Sequence, residues 1–215
     1  MLFYNDREMS WKNDQVSQKE TEMIMKLARE SLSLKGDYVE FGCYKGDTSL
    51  LLAELLQRDK MSSNMVVTSG GELVEKPVEK PVKKLWIYDS FEGLPGKTKA
   101  DESVLGMQFE EGRLAVTKRE VKERFLRAGL PVPVIKKGWF ADLTESDLPN
   151  EIAFAFLDGD FYESIRDSLK LVIPRMVEGG ALIVHDYTNP ALPGVKRAVE
   201  ELVLEKNSLF RVVLL

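Results

Sequence analysis

Four side chains that could do chemistry follow two apolar runs in the second half of the sequence. Asp158 and Asp160 come after IAFAFL, and His185 and Asp186 come after ALIV. Three carboxylates and an imidazole facing one cleft repel one another unless a cation or a proton compensates their charge. Taken singly, Asp158 or Asp186 would be an ordinary helix N-cap. Together the four residues indicate a metal site or a catalytic site.

A turn containing two glycines follows an earlier apolar run. Glu40 stands two residues before Gly42, and Gly46 comes four residues later, with Tyr44 between the glycines. The pyrophosphate-binding fingerprint G-x-G-x-x-G is not matched. S-adenosylmethionine carries an ammonium and a sulfonium and no phosphate, so an acid beside the turn favours it. A tight strand-to-helix turn with a solvated glutamate would have the same residues, and both interpretations stay open here.

Two further groups come after the next apolar runs. Asp89 ends WIYD, where a carboxylate can accept hydrogen bonds from both hydroxyls of a ribose bound over the glycine turn. When the irregular stretch 61–84 is left out of the count, the separation between Gly46 and Asp89 is close to the roughly 20 residues typical of such folds. Further on, Gly138, Trp139 and Phe140 place aromatic surface where an adenine ring could lie, although two adjacent aromatics more often belong to a core.

These residues must be positioned by alternating strands and helices. Apolar residues recur at strand or at helical spacing along most of the chain. The predicted strands are 37–41, 85–88, 132–136, 152–157, 181–184 and 210–215, and the predicted helices are 17–34, 48–58, 117–128, 163–173 and 194–205. This alternation predicts a Rossmann-like α/β fold: a mostly parallel sheet of six or seven strands, with helices on both faces and ligands at the carboxyl ends of the strands.

Two stretches interrupt the alternation. Residues 61–84 include SSN, SGG and the near-repeat EKPVEKPVKK, whose prolines are incompatible with a helix or a central strand, so we expect a solvated, mobile loop. Residues 90–112 form a second long loop, and loops of this length in compact domains are often lids. The length of 215 residues suits one buried core, so we expect a single domain over residues 1–215.

Composition excludes several classes of function. The net charge of −5 argues against nucleic acid as the main partner, because such proteins carry a basic surface for the phosphates. No apolar run approaches the roughly 20 residues of a membrane span. Cys43 is the only cysteine and residues 1–11 lack the apolar core of a signal peptide, so we expect a cytoplasmic protein that binds neither nucleic acid nor membrane.

Five motifs, in order, resemble the macrocin O-methyltransferase family, whose members methylate sugar hydroxyls in antibiotic pathways. The motifs are VEFGCYKGDTS, WIYDSFEGLPG, KKGWFADL, FLDGDFYES and GGALIVHDYTNPALPGVKRAVEE. The resemblance implies a class I methyltransferase fold, S-adenosylmethionine as cofactor and a divalent metal, usually magnesium. It further implies O-methyl transfer to a hydroxyl of a sugar or another small natural-product-like acceptor.

The resemblance also assigns roles to residues on the cofactor side. The turn from Glu40 to Gly46, which includes Gly42 and Tyr44, would hold S-adenosylmethionine. Asp89, with Ser90 beside it, would hold the same cofactor. The segment from Gly138 to Phe140 would lie beside the adenine.

On the acceptor side, the resemblance makes Asp158 and Asp186 metal ligands and Asp160 the catalytic base. His185 departs from the family, which usually has an aspartate there. We expect His185 to be a third ligand. Because imidazole suits zinc, iron, manganese or nickel better than magnesium, a softer ion than magnesium is an open alternative.

Other interpretations are weaker. A nicotinamide oxidoreductase would share the fold. However, this sequence lacks the third glycine of the dinucleotide fingerprint, and such an enzyme would leave the acidic cluster without a function. The alternative is an S-adenosylmethionine-binding protein of the same fold without metal-dependent turnover, which the histidine at position 185 would signal. A homo-oligomer is also open, since the N-terminal segment could cover the site of a neighbouring chain.

Overall fold

Six parallel strands form the main sheet of the computed structural model, which describes residues 15–63, 65–67, 73–75, 82–203 and 209–215. The strands are numbered in chain order, and the second and third numbers belong to two short strands described below. The strands of the main sheet are β1 (Asp37–Phe41), β4 (Leu85–Asp89), β5 (Val134–Lys137), β6 (Ile152–Leu157), β7 (Met176–Val184) and β8 (Arg211–Leu214). Their order across the sheet is β5-β4-β1-β6-β7-β8, and every neighbouring pair is parallel. The predicted α/β fold is confirmed, with the strand order of doubly wound nucleotide-binding folds.

The two faces of this sheet are covered by five helices of the described chain. They are α1 (Gln18–Glu30), α2 (Asp47–Ser63), α3 (Lys118–Arg127), α4 (Tyr162–Val172) and α5 (Pro193–Leu202). Apolar residues of α1, α2 and α3 pack into one core, and those of α4 and α5 pack into a second core on the other face. All six residues of β6 are buried, as expected for a central parallel strand covered on both sides.

Within the stretch 61–84, some of the described residues differ from the predicted loop. Helix α2 continues to Ser63, and β2 (Met65–Val67) pairs antiparallel with β3 (Leu73–Glu75). Two valine-containing runs separated by the five residues TSGGE are a hairpin signal, which the neighbouring Lys/Glu/Pro repeat obscured. Residues 76–81 of that repeat lie outside the described residues.

The loop after β4 is tied to the body of the domain. The buried Asp101 carboxylate accepts hydrogen bonds from Thr98 N (3.0 Å) and from Tyr162 N at the start of α4 (2.6 Å). Ser103 Oγ donates to the Pro190 carbonyl at 2.9 Å. The loop therefore forms a fixed wall in this conformation.

Among the described helices, none combines the length and the apolar character that a membrane span requires.

Candidate active site

A cleft of about 230 Å³ opens at the carboxyl ends of the strands. It lies where the strand order reverses, between β1 and β6, which is the usual ligand position in such sheets. Most residues predicted for the site line it, namely Glu40, Gly42, Tyr44, Asp89, Ser90, Trp139, Phe140, Asp158, Asp160, His185 and Asp186. Gly46 and Gly138 are not part of this wall. Gly46 ends the glycine turn directly before α2, and Gly138 directly precedes Trp139.

Asp89 clamps the glycine turn to the end of β4. Its Oδ2 accepts hydrogen bonds from Cys43 N (2.9 Å) and Tyr44 N (3.1 Å), and its Oδ1 accepts one from Phe91 N (2.7 Å). Since each carboxylate oxygen has two lone pairs, Oδ1 retains capacity for a ligand hydroxyl. The sequence suggested only a ligand-binding role, and the structure adds this organising role.

Gly42 brings the turn into backbone contact with the segment after β6. A Cβ at this position would lie 2.0 Å from the Asp158 carbonyl oxygen, and the φ angle of +83° belongs to the left-handed region. Asp158 N also donates to the Phe41 carbonyl at 2.8 Å. Only glycine fits here, and the close contact joins the two sides of the cleft.

Glu40 is a buried acid in the cleft wall. It is 1% exposed, which excludes the solvated glutamate considered from the sequence. Burial raises the pKa of Glu40 to about 8, and the nearby carboxylates of Asp158 and Asp89 add to the rise, although a hydrogen bond from Ser49 Oγ opposes it. A cation bound in the cleft would favour the ionised form of this carboxyl group.

Asp158, His185 and Asp186 form a compact cluster in which one ligand atom of each residue lies within 4.8 Å of the others. Nδ1 of His185 is 2.9 Å from Asp158 Oδ1 and 3.1 Å from Asp186 Oδ2. Burial disfavours a charged imidazole, but these two carboxylates outweigh it and raise the pKa of His185 to about 11. Burial alone would raise the pKa of Asp186. The hydrogen bond and the charge of His185 outweigh burial and lower the pKa of this carboxyl group.

Asp160 stands beside this cluster without a donor of its own. No described residue donates a hydrogen bond to its carboxylate, and burial, followed by the charges of Asp158 and Asp186, raises its pKa well above the usual range. The first N–H of α4 is bound by Asp101 and not by Asp160. Asp160 is therefore not the N-cap of α4, so its carboxyl group has no structural role at the start of this helix.

Several residues of the cleft wall have a strained backbone. Tyr44, Leu114, Asp160 and Asp186 all have φ angles between 45° and 63°, in the left-handed region that side chains rarely adopt. Such conformations persist where surrounding contacts impose them, and they cluster at functional sites.

The sequence did not identify the part of the wall formed by the residues that precede α1, and for the loop after β4 it suggested a lid without naming any residue. Gln15 and Val16 line the cleft beside Leu94 and Phe109. Glu20 of α1 lies 3.8 Å from His185, measured from Oε2 to Nε2. The pattern S-x-x-E at residues 17–20 signals only a helix start, and no local pattern connects it to a histidine 165 residues later.

Comparison with known proteins gives a family match over nearly the whole chain. Residues 18–208 match the family described as Macrocin-O-methyltransferase (TylF). The chain is 30% identical over 157 residues to 8-demethyl-8-(2,3-dimethoxy-alpha-L-rhamnosyl)-tetracenomycin-C 4'-O-methyltransferase of Streptomyces olivaceus, covering 71% of this chain and 53% of the relative. It is 28% identical over 174 residues to demethyldecarbamoylnovobiocin O-methyltransferase of Streptomyces niveus, covering 79% and 58%. The chain thus spans little more than half the length of these relatives.

Solved structures agree with this match. The O-methyltransferase NovP superposes with a TM-score of 0.66 at 27% identity, over 85% of this chain and 70% of that chain. The calicheamicin methyltransferase CalS11 gives the same TM-score of 0.66 at 20% identity, over 86% and 70%. The second likeness shows the fold alone.

Proposed function

Because the chain belongs to the macrocin-O-methyltransferase family, we propose that it transfers a methyl group from S-adenosylmethionine to a hydroxyl of a sugar or another small natural-product-like acceptor. The observation that carries this proposal is the meeting of two chemically different groups in one cleft. The glycine turn held by Asp89 forms one side, and the cluster around His185 forms the other. Relatives named as O-methyltransferases of rhamnosyl-tetracenomycin and novobiocin precursors support the choice of acceptor.

The cofactor would lie over the turn after β1. Glu40 is the buried acid that would face its positive charge, and Asp89 would accept hydrogen bonds from the ribose hydroxyls through the remaining capacity of Oδ1. Ser90 would border the same ribose, and Trp139 and Phe140 would border the adenine.

The donor set of the acidic cluster fits a divalent metal. Two carboxylates and one imidazole, with ligand atoms within 4.8 Å of one another, would hold it through Asp158, His185 and Asp186. The imidazole favours manganese, iron, nickel or zinc over the magnesium that the family resemblance implies. When bound, such an ion would lower the pKa of an acceptor hydroxyl.

The remaining chemistry would fall to Asp160 and the cleft walls. Methyl transfer is an in-line displacement: the acceptor oxygen bonds to the methyl carbon as the carbon–sulfur bond breaks, and S-adenosylhomocysteine leaves. Asp160 would take the hydroxyl proton. No described residue donates to its carboxyl group, its raised pKa makes it a stronger proton acceptor, and a cation at the cluster would keep it ionised. Leu94 and Phe109 of the fixed loop would exclude water.

Calorimetric titration with S-adenosylhomocysteine tests the cofactor assignment. Wild-type protein should bind it, NADH should not compete, and Asp89→Ala should weaken binding by about 1.5–3 kcal/mol through loss of charge-assisted hydrogen bonds. Asp142→Ala, at an exposed aspartate outside the cleft wall, serves as the control and should bind as wild type does. Binding of NADH without binding of S-adenosylhomocysteine would overturn the assignment.

Metal dependence is tested by turnover on a rhamnosyl-tetracenomycin acceptor. A chelator should abolish the release of S-adenosylhomocysteine and added metal should restore it, with His185→Asp shifting the preference towards magnesium. Cofactor binding with no turnover under any metal would favour the alternative, a binding protein of the same fold.

A further inference from the structure

Helix α1 reaches the acidic cluster through Glu20. Its Oε2 lies 3.8 Å from Nε2 of His185, on the side of the ring opposite the two aspartates. The other ring nitrogen, Nδ1, faces Asp158 and Asp186 at 2.9 and 3.1 Å. The two nitrogens of one imidazole are therefore divided between the cluster and the first turn of α1.

The Glu20 carboxylate is held in place by the start of its helix. Its Oε2 accepts a hydrogen bond from Ser17 N at 2.9 Å, and Ser17 Oγ accepts one from Glu20 N at 3.3 Å, which together form a capping box. The buried face of α1, which includes Ile24 and Ala28, fixes the helix against the sheet. The capping hydrogen bonds and the packing of α1 thus set the position of this carboxylate.

A metal-ligating imidazole must be neutral, with one nitrogen on the metal and a hydrogen on the other. That second N–H is usually held by a carboxylate or a carbonyl, which fixes the ring orientation and makes the ligating nitrogen more basic. In this cluster Nδ1 is the nitrogen nearest the two aspartates. Nε2–H is then left to face Glu20.

We propose that Glu20 is a positioning residue of the metal centre: it accepts the Nε2–H of His185 and so presents Nδ1 to the ion. The inference rests on the proposed metal site at Asp158, His185 and Asp186. At 3.8 Å the pair is an ion-pair contact and not a direct hydrogen bond, so a shorter contact is expected in the metal-loaded protein.

The chain contains a matched control for this proposal. Helix α3 begins with a second capping box, in which Glu120 Oε2 accepts a hydrogen bond from Thr117 N at 2.7 Å. Glu120 is exposed and is not part of the cleft wall. Glu20→Ala and Glu120→Ala therefore remove the same capping contact, and only the first removes a neighbour of His185.

Because His185 is the only histidine, nitrogen-15 labelling of histidine gives NMR signals from this ring alone. In the zinc-loaded wild type we expect zinc on Nδ1 and a slowly exchanging proton on Nε2. In Glu20→Ala that proton should exchange rapidly, in both the zinc-loaded and the metal-free protein. Zinc on Nε2, or an Nε2 proton that exchanges equally fast in wild type and Glu20→Ala, would overturn the proposal.

Zinc-binding isotherms provide the second measurement. Glu20→Ala should raise the dissociation constant for zinc about 10–100-fold, the usual effect of losing such a partner. Glu20→Gln keeps an acceptor oxygen and should recover most of the affinity, and Glu120→Ala should bind as wild type does. Equal zinc affinity in Glu20→Ala and Glu120→Ala would reduce Glu20 to a helix cap.

The two proposals fail differently. Wild-type protein that binds no zinc, manganese or magnesium overturns the metal site, together with the part of the inference that concerns metal. The contact between Glu20 and His185 is then decided by the exchange of the Nε2 proton in the metal-free protein. Zinc binding that is indifferent to Glu20 overturns the inference alone.

Discussion

The two sides of the cleft differ in how their half-buried carboxylates are compensated. On the side of the glycine turn, the three backbone N–H groups of Cys43, Tyr44 and Phe91 bind the Asp89 carboxylate. On the side of the acidic cluster, Asp158 and Asp186 share one imidazole, and no described residue donates a hydrogen bond to the third acid, Asp160. The charge of Asp89 is thus compensated by the protein alone, whereas the charges of the acidic cluster are compensated fully only by a cation, a proton or a ligand.

This difference predicts that substitutions on the turn side reduce stability, whereas substitutions in the acidic cluster reduce function. Removing Asp89 should loosen the turn that it clamps, because three backbone donors lose their acceptor. Removing a charge from the acidic cluster should relieve repulsion instead, so that stability is kept while function is lost. Substitutions that test this contrast are ordered below by the expected size of their effect.

The largest effect is expected for Asp160→Asn. The amide keeps the size of the side chain but cannot take a proton, so turnover should fall by roughly 10²–10⁴. Binding of S-adenosylhomocysteine and of metal should persist, and the free energy of unfolding should stay the same or rise, because one of three mutually repelling acids is gone. Single-turnover rates, isotherms and urea unfolding measure the three quantities.

Asp158→Asn is the companion variant, since it should weaken metal binding itself and not only turnover. A near wild-type rate in Asp160→Asn would mean that Asp160 is not the base. His185 would then be the nearest remaining candidate.

A smaller effect is expected for Glu40→Gln. This variant tests the difference between the two sides of the cleft, because Glu40 belongs to the glycine turn and yet has a carboxyl group whose charge is incompletely compensated. Its pKa rises from 4.5 to about 8 on folding, so the folded protein holds this proton more tightly than the unfolded chain does. Stability from this group is therefore present below pH 4.5 and is lost as the pH rises towards 8. One pKa unit corresponds to about 1.4 kcal/mol, so the loss amounts to a few kcal/mol.

Urea unfolding of the cofactor-free protein between pH 5 and pH 9 measures this loss. Glu40→Gln cannot ionise, so its stability relative to wild type should increase up to about pH 8 and then level off. Parallel curves for the two proteins would show that the folded protein keeps Glu40 ionised at no cost, and the turn side would then be uniformly compensated.

The sequence predicted the parts of this architecture that depend on short-range pattern. The apolar run IAFAFL became β6 over the expected residues, and four acidic and imidazole groups came together because they follow adjacent parallel strands. The hairpin of β2 and β3 was missed, since its valine runs are short and lie next to a proline repeat.

Long-range contacts could not be predicted in the same way. The clamp formed by Asp89 depends on the register between β1 and β4, where Phe41 pairs with Tyr88. The approach of Glu20 to His185 depends on how α1 crosses the sheet. Neither relation leaves a periodic signal, because each joins residues more than 40 positions apart through the packing of whole elements.

The smallest effect is expected for Arg124→Gln, which tests whether the turn side is an independent unit. From α3, Arg124 Nη1 donates to the Lys45 carbonyl at 2.6 Å and Nη2 donates to Asp47 Oδ1 at 2.5 Å, so it supports the turn from outside the cleft. The arginine is about one quarter exposed, which limits the expected loss of S-adenosylhomocysteine affinity to about 1 kcal/mol, roughly fivefold.

Calorimetry on Arg124→Gln and on Arg127→Gln, an exposed arginine of the same helix, separates this support from a general loss of charge. Zinc affinity should be unchanged in both variants, because the Asp158 side of the cleft contains no atom that Arg124 holds. If Arg124→Gln weakens zinc and S-adenosylhomocysteine equally, the backbone contact between Gly42 and Asp158 transmits the disturbance. The two sides would then have to be treated as one cooperative unit, in which the hydrogen bonds of the turn also set the geometry of the acidic cluster.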